Sequence, residues 1–113
     1  MNQLEQDLVM ELTALPNIRW WHRNIARQGF VINGFINHYP DIMLMTNGGK
    51  VILVETKGDH LKNDDSRDKI ELGRAWRNAA GNQYRYYMVF RDGDNLPGGA
   101  VSMSQFIETL KSL

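Results

Sequence analysis

Pro40-Asp41-Ile42-Met43-Leu44-Met45-Thr46-Asn47-Gly48-Gly49-Lys50-Val51-Ile52-Leu53-Val54-Glu55-Thr56-Lys57 is the stretch whose reading decides the fold. Two short apolar runs, Ile42–Met45 and Val51–Val54, flank a polar, glycine-containing segment. Such a pattern predicts a β-hairpin. Both runs are apolar at every position, which suits strands in the middle of a sheet covered on both faces. Charges gather at their shared end, with Asp41 opening the first strand and Glu55 and Lys57 closing the second. Side chains alternate along a strand, so Glu55 and Lys57 face the same way as Val51 and Leu53. The loop sets the position of Asp41. A three-residue loop, Asn47-Gly48-Gly49, pairs Thr46 with Lys50 and sets Asp41 opposite Glu55. A two-residue loop breaks that parity and turns Asp41 to the other face. Gly48 or Gly49 suits the left-handed position that the longer loop requires.

Outward from the hairpin, the elements alternate in a regular way. Residues 3–15 form an amphipathic pattern, with Leu4, Leu8, Val9, Leu12 and Leu15 on one side and Pro16 as the stop. Trp20–Asn24 and Phe30–His38 read as extended, with Gly29 and Gly34 as breaks. After Lys57 the chain turns through Gly58-Asp59-His60 into the polar stretch Lys62–Asp65. A helix is predicted from about Ser66 to Ala80, ended by Gly81-Asn82. Gln83–Phe90 reads as a buried strand and Asp92–Gly99 as a loop. Ser102–Leu113 reads as a closing helix with Ser102 or Ser104 as N-cap. The expected fold is α/β, a mixed central β-sheet flanked by α-helices.

With 113 residues, the chain is long enough for one domain, 1–113, and one core. The 42% hydrophobic content and 23% charged content are those of an ordinary globular protein. There is no cysteine, which excludes disulfides, thiolate zinc sites and a cysteine nucleophile. The apolar run Tyr86–Phe90 is too short to cross a bilayer, and the first residues lack the basic and apolar regions of a signal peptide. The expectation is a cytoplasmic protein. Thirteen basic residues balance thirteen acidic ones, so net charge predicts no generic polyanion binding. The distribution is uneven. Between Glu11 and Asp41 the only charged residues are Arg19, Arg23 and Arg27, and from Leu72 through Arg91 they are Arg74, Arg77, Arg85 and Arg91. Such acid-free stretches suit a phosphate-facing surface around an acidic centre, or else arginines scattered over a solvated surface.

Two carboxylates set opposite one another repel, and a cation between them removes that cost. Oxygen ligands suit Mg²⁺ or Mn²⁺ rather than zinc. Lys57, one pleat further along, is placed to steer a water or to balance charge on a phosphate. The plain alternative is a surface ion pair of Asp41 or Glu55 with Lys57.

Pro40-Asp41 followed by Glu55-Thr56-Lys57 resembles the signature of the PD-(D/E)XK nuclease superfamily. The wider text, Trp20-Trp21-His22-Arg23-Asn24, Tyr39-Pro40-Asp41 and Val54-Glu55-Thr56-Lys57-Gly58, is similar to the C-terminal nuclease domain of type III restriction enzymes, over roughly residues 3 to 90. The resemblance implies a restriction-endonuclease-like fold and Mg²⁺-dependent hydrolysis of DNA phosphodiesters, with Mn²⁺ as substitute. It implies Asp41 and Glu55 as metal ligands, helped by the carbonyl of Thr56, and Lys57 as the residue that positions the attacking water. Its partners would be DNA, a helicase-type ATPase domain, a methyltransferase subunit and a second copy for double-strand cleavage. Relatives also carry a glutamate on the first helix. Projected around that helix, Glu5 falls between Leu12 and Val9 inside the apolar arc, whereas Glu11 lies at its margin, which makes Glu5 the fourth candidate.

Several residues have a functional and a structural reading. Arg23, Lys69 and Arg74 are candidate DNA contacts. Lys69 shares a helical face with Gly73, Trp76 and Ala80, where a lysine stem covers apolar surface with its head in water or else reaches the catalytic end of the sheet to contact DNA. Trp20 and Trp21 alternate across a predicted strand, which places one in the core and leaves the other open to exposure; core packing is the preferred reading of both. His22, His38 and His60 lack metal-ligand spacing, and surface or capping duty is expected of His60. Gln83 and Tyr87 match a Gln-x-x-x-Tyr pattern that belongs on a helix, while their own context is a strand. No glycine-rich nucleotide loop is present, so no ATP binding is expected. The alternatives to a restriction-type nuclease are a repair or junction-resolving nuclease of the same fold and a non-catalytic DNA-binding or assembly domain.

Overall fold

The hairpin forms with the three-residue loop. In the computed structural model, which describes residues 2–24, 31–33, 37–58, 64–91 and 96–113, Thr46 N donates to Lys50 O at 3.0 Å and Gly49 adopts φ +88°. Strands β4 (Ile42–Thr46) and β5 (Val51–Lys57) pair antiparallel with Ile42 opposite Val54 and Met45 opposite Val51. One step beyond Ile42–Val54, that register sets Asp41 opposite Glu55.

Around this hairpin lie α1 (Gln3–Ala14), β1 (Ile18–Arg23), β2 (Ile32–Asn33), β3 (Asn37–His38), α2 (Asp64–Ala80), β6 (Tyr84–Phe90), β7 (Ala100–Ser102) and α3 (Met103–Lys111). The main sheet has five strands in the order β1-β4-β5-β6-β7, and β2 and β3 form a separate two-stranded ribbon. The sheet is mixed: β1–β4 and β4–β5 are antiparallel, β5–β6 and β6–β7 parallel. Among the described residues no helix is long and apolar enough to cross a membrane.

Alternation along β4 and β5 divides the core between the two faces. Ile42, Leu44, Ile52 and Val54 meet Leu8 and Leu12 of α1 and Phe106, Ile107 and Leu110 of α3. Leu53 faces the other way, onto Leu72 of α2 and Ile32. Met88 and Phe90 continue that second layer with Ile70. The caps match the sequence. Asn2 accepts from Glu5 N to start α1, the helix ends before Pro16, and Ser102 and Gln105 make a reciprocal capping box at α3. Helix α2 ends at Gly81, whose φ is +103°.

Three expectations need correction. Trp20 and Trp21 are not core residues; they are 40% and 37% exposed. They alternate as expected, opposite Met45 and Leu44, but β1 is the edge strand and the helical cover stops short of it. The strand predicted at Gln83–Phe90 is fully buried only over Met88, Val89 and Phe90, because β7 flanks that half alone. Strand β7 itself is missing from the sequence reading; Ala-Val-Ser is too short to show a period. Arg27, Gly29, Phe30, Gly34, His60 and residues 92–95 of the Asp92–Gly99 loop lie outside the described residues.

Gly73 brings α2 close to the sheet: a Cβ there would lie 2.3 Å from the Tyr86 ring. Gly73→Ala should therefore overpack this layer and cost about 1–3 kcal/mol, read as a fall in Tm of roughly 5–15 °C in a thermal melt.

Candidate functional site

The charged end of the hairpin forms a polar cleft of about 440 Å³, with Glu5, Asp41, Glu55, Thr56 and Lys57 on its walls. Each wall residue is placed by its own element. Glu5 comes from the first turn of α1, where the helical period carries it into the buried stripe with Leu4 and Leu8. Asp41 precedes β4 and is fixed from two sides. Its carbonyl accepts from Asn24 N at 2.7 Å. Its carboxylate Oδ2 accepts from Thr56 N at 2.8 Å and Thr56 Oγ1 at 2.9 Å. Pro40 has a part in this. The hydrogen-bonded pairing that joins Thr46 to Lys50 recurs every second residue, which sets Pro40 opposite Thr56. Proline has no N–H to give to the Thr56 carbonyl, so this carbonyl gains no ladder bond from that position.

Glu55 is the centre of the charge network. It is 4% exposed. Oε2 lies 3.2 Å from Lys57 Nζ and 3.8 Å from Lys69 Nζ, an ammonium delivered across the cleft by α2. Oε1 is buried without a hydrogen-bond partner among the described residues. Burial, then the Asp41 charge and a side-chain hydrogen bond that the protonated carboxyl shares with Asp41, push the Glu55 pKa up to about 8, while Lys57 and Lys69 pull against the rise. Burial depresses the Lys57 pKa, but the charge of Glu55, side-chain hydrogen bonding with Lys69 and Glu55 and the charge of Asp41 together outweigh it and raise the value, an effect that needs Glu55 ionised. Burial and Asp41 likewise raise Glu5, with the charge of Arg23 opposing. The Glu55–Lys57 pair is thus buried within a cluster of acids and cations, unlike the surface ion pair weighed from sequence.

Asp41, Glu55, Lys57, Thr56 and Glu5 all line this cleft, and Lys69 reaches it. Among the described residues, no group of three or more His, Cys, Asp or Glu side chains is arranged to hold a metal ion. Glu5 therefore feels Asp41 electrostatically without completing a three-acid cluster. Arg23 lies near enough to act on Glu5, but Arg74 and Arg91 do not line the cleft. Arg91 pairs with Asp7 at 2.8 Å, and Arg74 lies in other cavities farther along α2. Tyr86 and His38 were not singled out together by sequence. The Tyr86 hydroxyl and His38 Nε2 are 2.6 Å apart, and burial followed by the charges of Glu55 and Asp41 raises the phenol pKa. The only sequence signal was the β6 alternation that aims Tyr86 at the same layer as Leu53.

No family model, curated protein or solved structure matches the chain. The functional reading therefore rests on the residues and their geometry.

The raised Glu55 pKa has a consequence for stability in the absence of divalent cations. Below its ordinary value of 4.5 the carboxyl is protonated in both folded and unfolded chains. Between that value and about 8 the unfolded chain releases the proton while the folded chain retains it, so folding stability falls as pH rises through this window. Glu55→Gln should flatten that slope and raise Tm at pH 8 relative to the parent. Thermal melts in EDTA from pH 4.5 to 9 provide the check.

Proposed function

We propose that this chain is a Mg²⁺-dependent DNA endonuclease domain of the PD-(D/E)XK type, of the kind that serves type III restriction enzymes. The observation that carries the proposal is the buried Glu55 carboxylate, one oxygen facing two lysines and the other without a donor among the described residues, beside Asp41 at one end of the central hairpin. The donor set fits a hard cation. Carboxylate oxygens of Asp41 and Glu55, with the Thr56 carbonyl that Pro40 leaves without a ladder bond, are ligands of the type Mg²⁺ takes. Two carboxylates suffice where water and substrate phosphate complete the shell.

Such an ion, when bound, polarises a phosphoryl oxygen and makes a bound water more acidic. The remaining work falls to the chain. Thr56 holds Asp41 in place through two hydrogen bonds. Lys57, with its pKa raised, remains an ammonium; it donates to the attacking water or to a phosphate oxygen and does not take up the proton. In the hydrolysis a water oxygen forms a bond to phosphorus and gives up its proton to bulk solvent, the bond from phosphorus to a sugar oxygen breaks, and the departing oxygen acquires a proton from solvent. Lys69 shares the balancing of Glu55, so that Lys57 can turn toward the phosphate as negative charge builds. Glu5 adds to the acidic field that favours a cation. In this reading Arg23 and Arg74 contact phosphates of the duplex, and the protein works in the prokaryotic cytoplasm with a helicase-type ATPase, a methyltransferase subunit and a second copy for double-strand cuts.

Nicking of supercoiled plasmid should occur with Mg²⁺ or Mn²⁺, stop in EDTA, and fall by at least about 10²-fold in Lys57→Ala. No metal-dependent nicking by the parent, or an equal rate in Lys57→Ala, contradicts the proposal. Independently of turnover, Mn²⁺ should raise the Tm of the parent and leave that of Asp41→Asn unchanged, while Asp41→Asn melts higher than the parent in EDTA because a repulsion has been removed. An equal rise in both proteins would place the ion elsewhere.

A further inference from the structure

We propose that Arg74, Arg77 and Arg85 form a phosphoryl-binding pocket separate from the acidic cleft. On α2, Ile70, Arg74 and Arg77 follow at i, i+4 and i+7 and share a side of the helix. On the sheet, β7 pairs only with Met88, Val89 and Phe90, so the outer edge of the first half of β6 is left without a neighbouring strand among the described residues. Helix face and open strand edge enclose a cavity of about 240 Å³ whose walls carry all three arginines together with Ile70, Tyr86 and Gly99. The volume is ample for a phosphate group and its hydrogen-bonding oxygens.

Charge supports an anion there. Among the described residues the ion pairs use Lys57, Lys69, Arg91 and Lys111, and none of the three pocket arginines is in one. Asp68 and Glu71 stand on the neighbouring cleft that Arg74 also borders, yet neither forms an ion pair with it. Arg85 is held by the carbonyl oxygens of Asn82 and Tyr84, contacts that orient its guanidinium and leave its charge uncompensated. Gly99 has φ +92°, and a Cβ there would come within 2.6 Å of Arg74 Nη2 and 2.8 Å of Ile70 Cγ2. The backbone thus makes room for the Arg74 guanidinium against the pocket wall. Three like charges bordering one cavity, with no ion-pair partner among the described residues, repel, and a phosphoryl anion with several acceptor oxygens relieves that repulsion while matching the fork of a guanidinium.

The ligand class is a phosphoryl group, supplied either by a nucleic-acid backbone or by a free phosphorylated compound. Only the first source rests on the nuclease reading; the pocket itself requires no chemistry at Asp41. Isothermal titration of inorganic phosphate into the full chain in EDTA should show saturable binding. Arg74→Gln and Arg77→Gln should each weaken it by about tenfold or more, as expected for loss of a charge-assisted hydrogen bond. Lys111→Gln, far along α3, and Asp41→Asn should bind as the parent does. Circular dichroism melts confirm that each variant is folded, and Gly99→Val, which crowds Arg74 without removing a charge, serves as the second route to the same loss. Absence of phosphate binding by the parent, parent-like binding by both arginine variants, or loss of binding in Asp41→Asn overturns the proposal. A short duplex that displaces phosphate identifies the backbone as source, and a duplex that binds without displacing it identifies a free phosphorylated ligand. Failure of plasmid nicking leaves these readouts untouched.

Discussion

The arrangement depends on a repulsion held in place by a strand register. The three-residue turn after Thr46 sets Asp41 opposite Glu55, and the hydrogen bonds from Thr56 to Asp41 prevent the carboxylate from swinging away. Burial then makes the juxtaposition costly, because Glu55 has little water to share its charge with. The two lysines answer on one oxygen only. A fold selected for stability alone would place a hydrophobic residue at position 55, as it does at Leu53 on the same face. Keeping a carboxylate there, next to another, is the kind of local cost that proteins retain for chemistry.

The other elements serve to bring charges to that point. Helix α1 presents Glu5 because its buried stripe starts at Leu4, and the Asn2 cap sets where the helix begins. Helix α2 presents Lys69 because Gly73 lets the helix approach Tyr86. The parallel pairing of β5 with β6 places Met88 beside Glu55 and buries the carboxylate from that side. On the far part of α2 the same helix carries Arg74 and Arg77, which form no ion pair among the described residues, so one element faces an acidic cleft near its start and a basic pocket near its end.

The sequence reading recovered the hairpin because its turn chemistry and its apolar runs agree, and because parity links loop length to side-chain direction. It recovered α1 and α3 from period and caps. It could not distinguish an edge strand from a central one for Trp20 and Trp21, since alternation reports which face a residue points to and not whether a helix covers that face. For Lys69 it offered the catalytic end of the sheet as one destination without naming Glu55 as its partner, and it could not see that Tyr86 and His38 meet; both contacts depend on how layers stack. The charge pattern correctly marked the acid-free stretch from Leu72 to Arg91. Its expectation of a ring around the acids did not hold for Arg91, which closes onto Asp7, or for Arg74, Arg77 and Arg85, which line a different cavity.

The central claim is that the Glu55 oxygen without a hydrogen-bond partner among the described residues awaits a cation shared with Asp41. Its most direct test is a crystal grown with Mn²⁺ and measured at the manganese absorption edge. The account predicts an anomalous peak between the Asp41 and Glu55 carboxylates, within bonding distance of Glu55 Oε1 and of the Thr56 carbonyl. A peak at another site, or a cleft without one at saturating Mn²⁺, would contradict it.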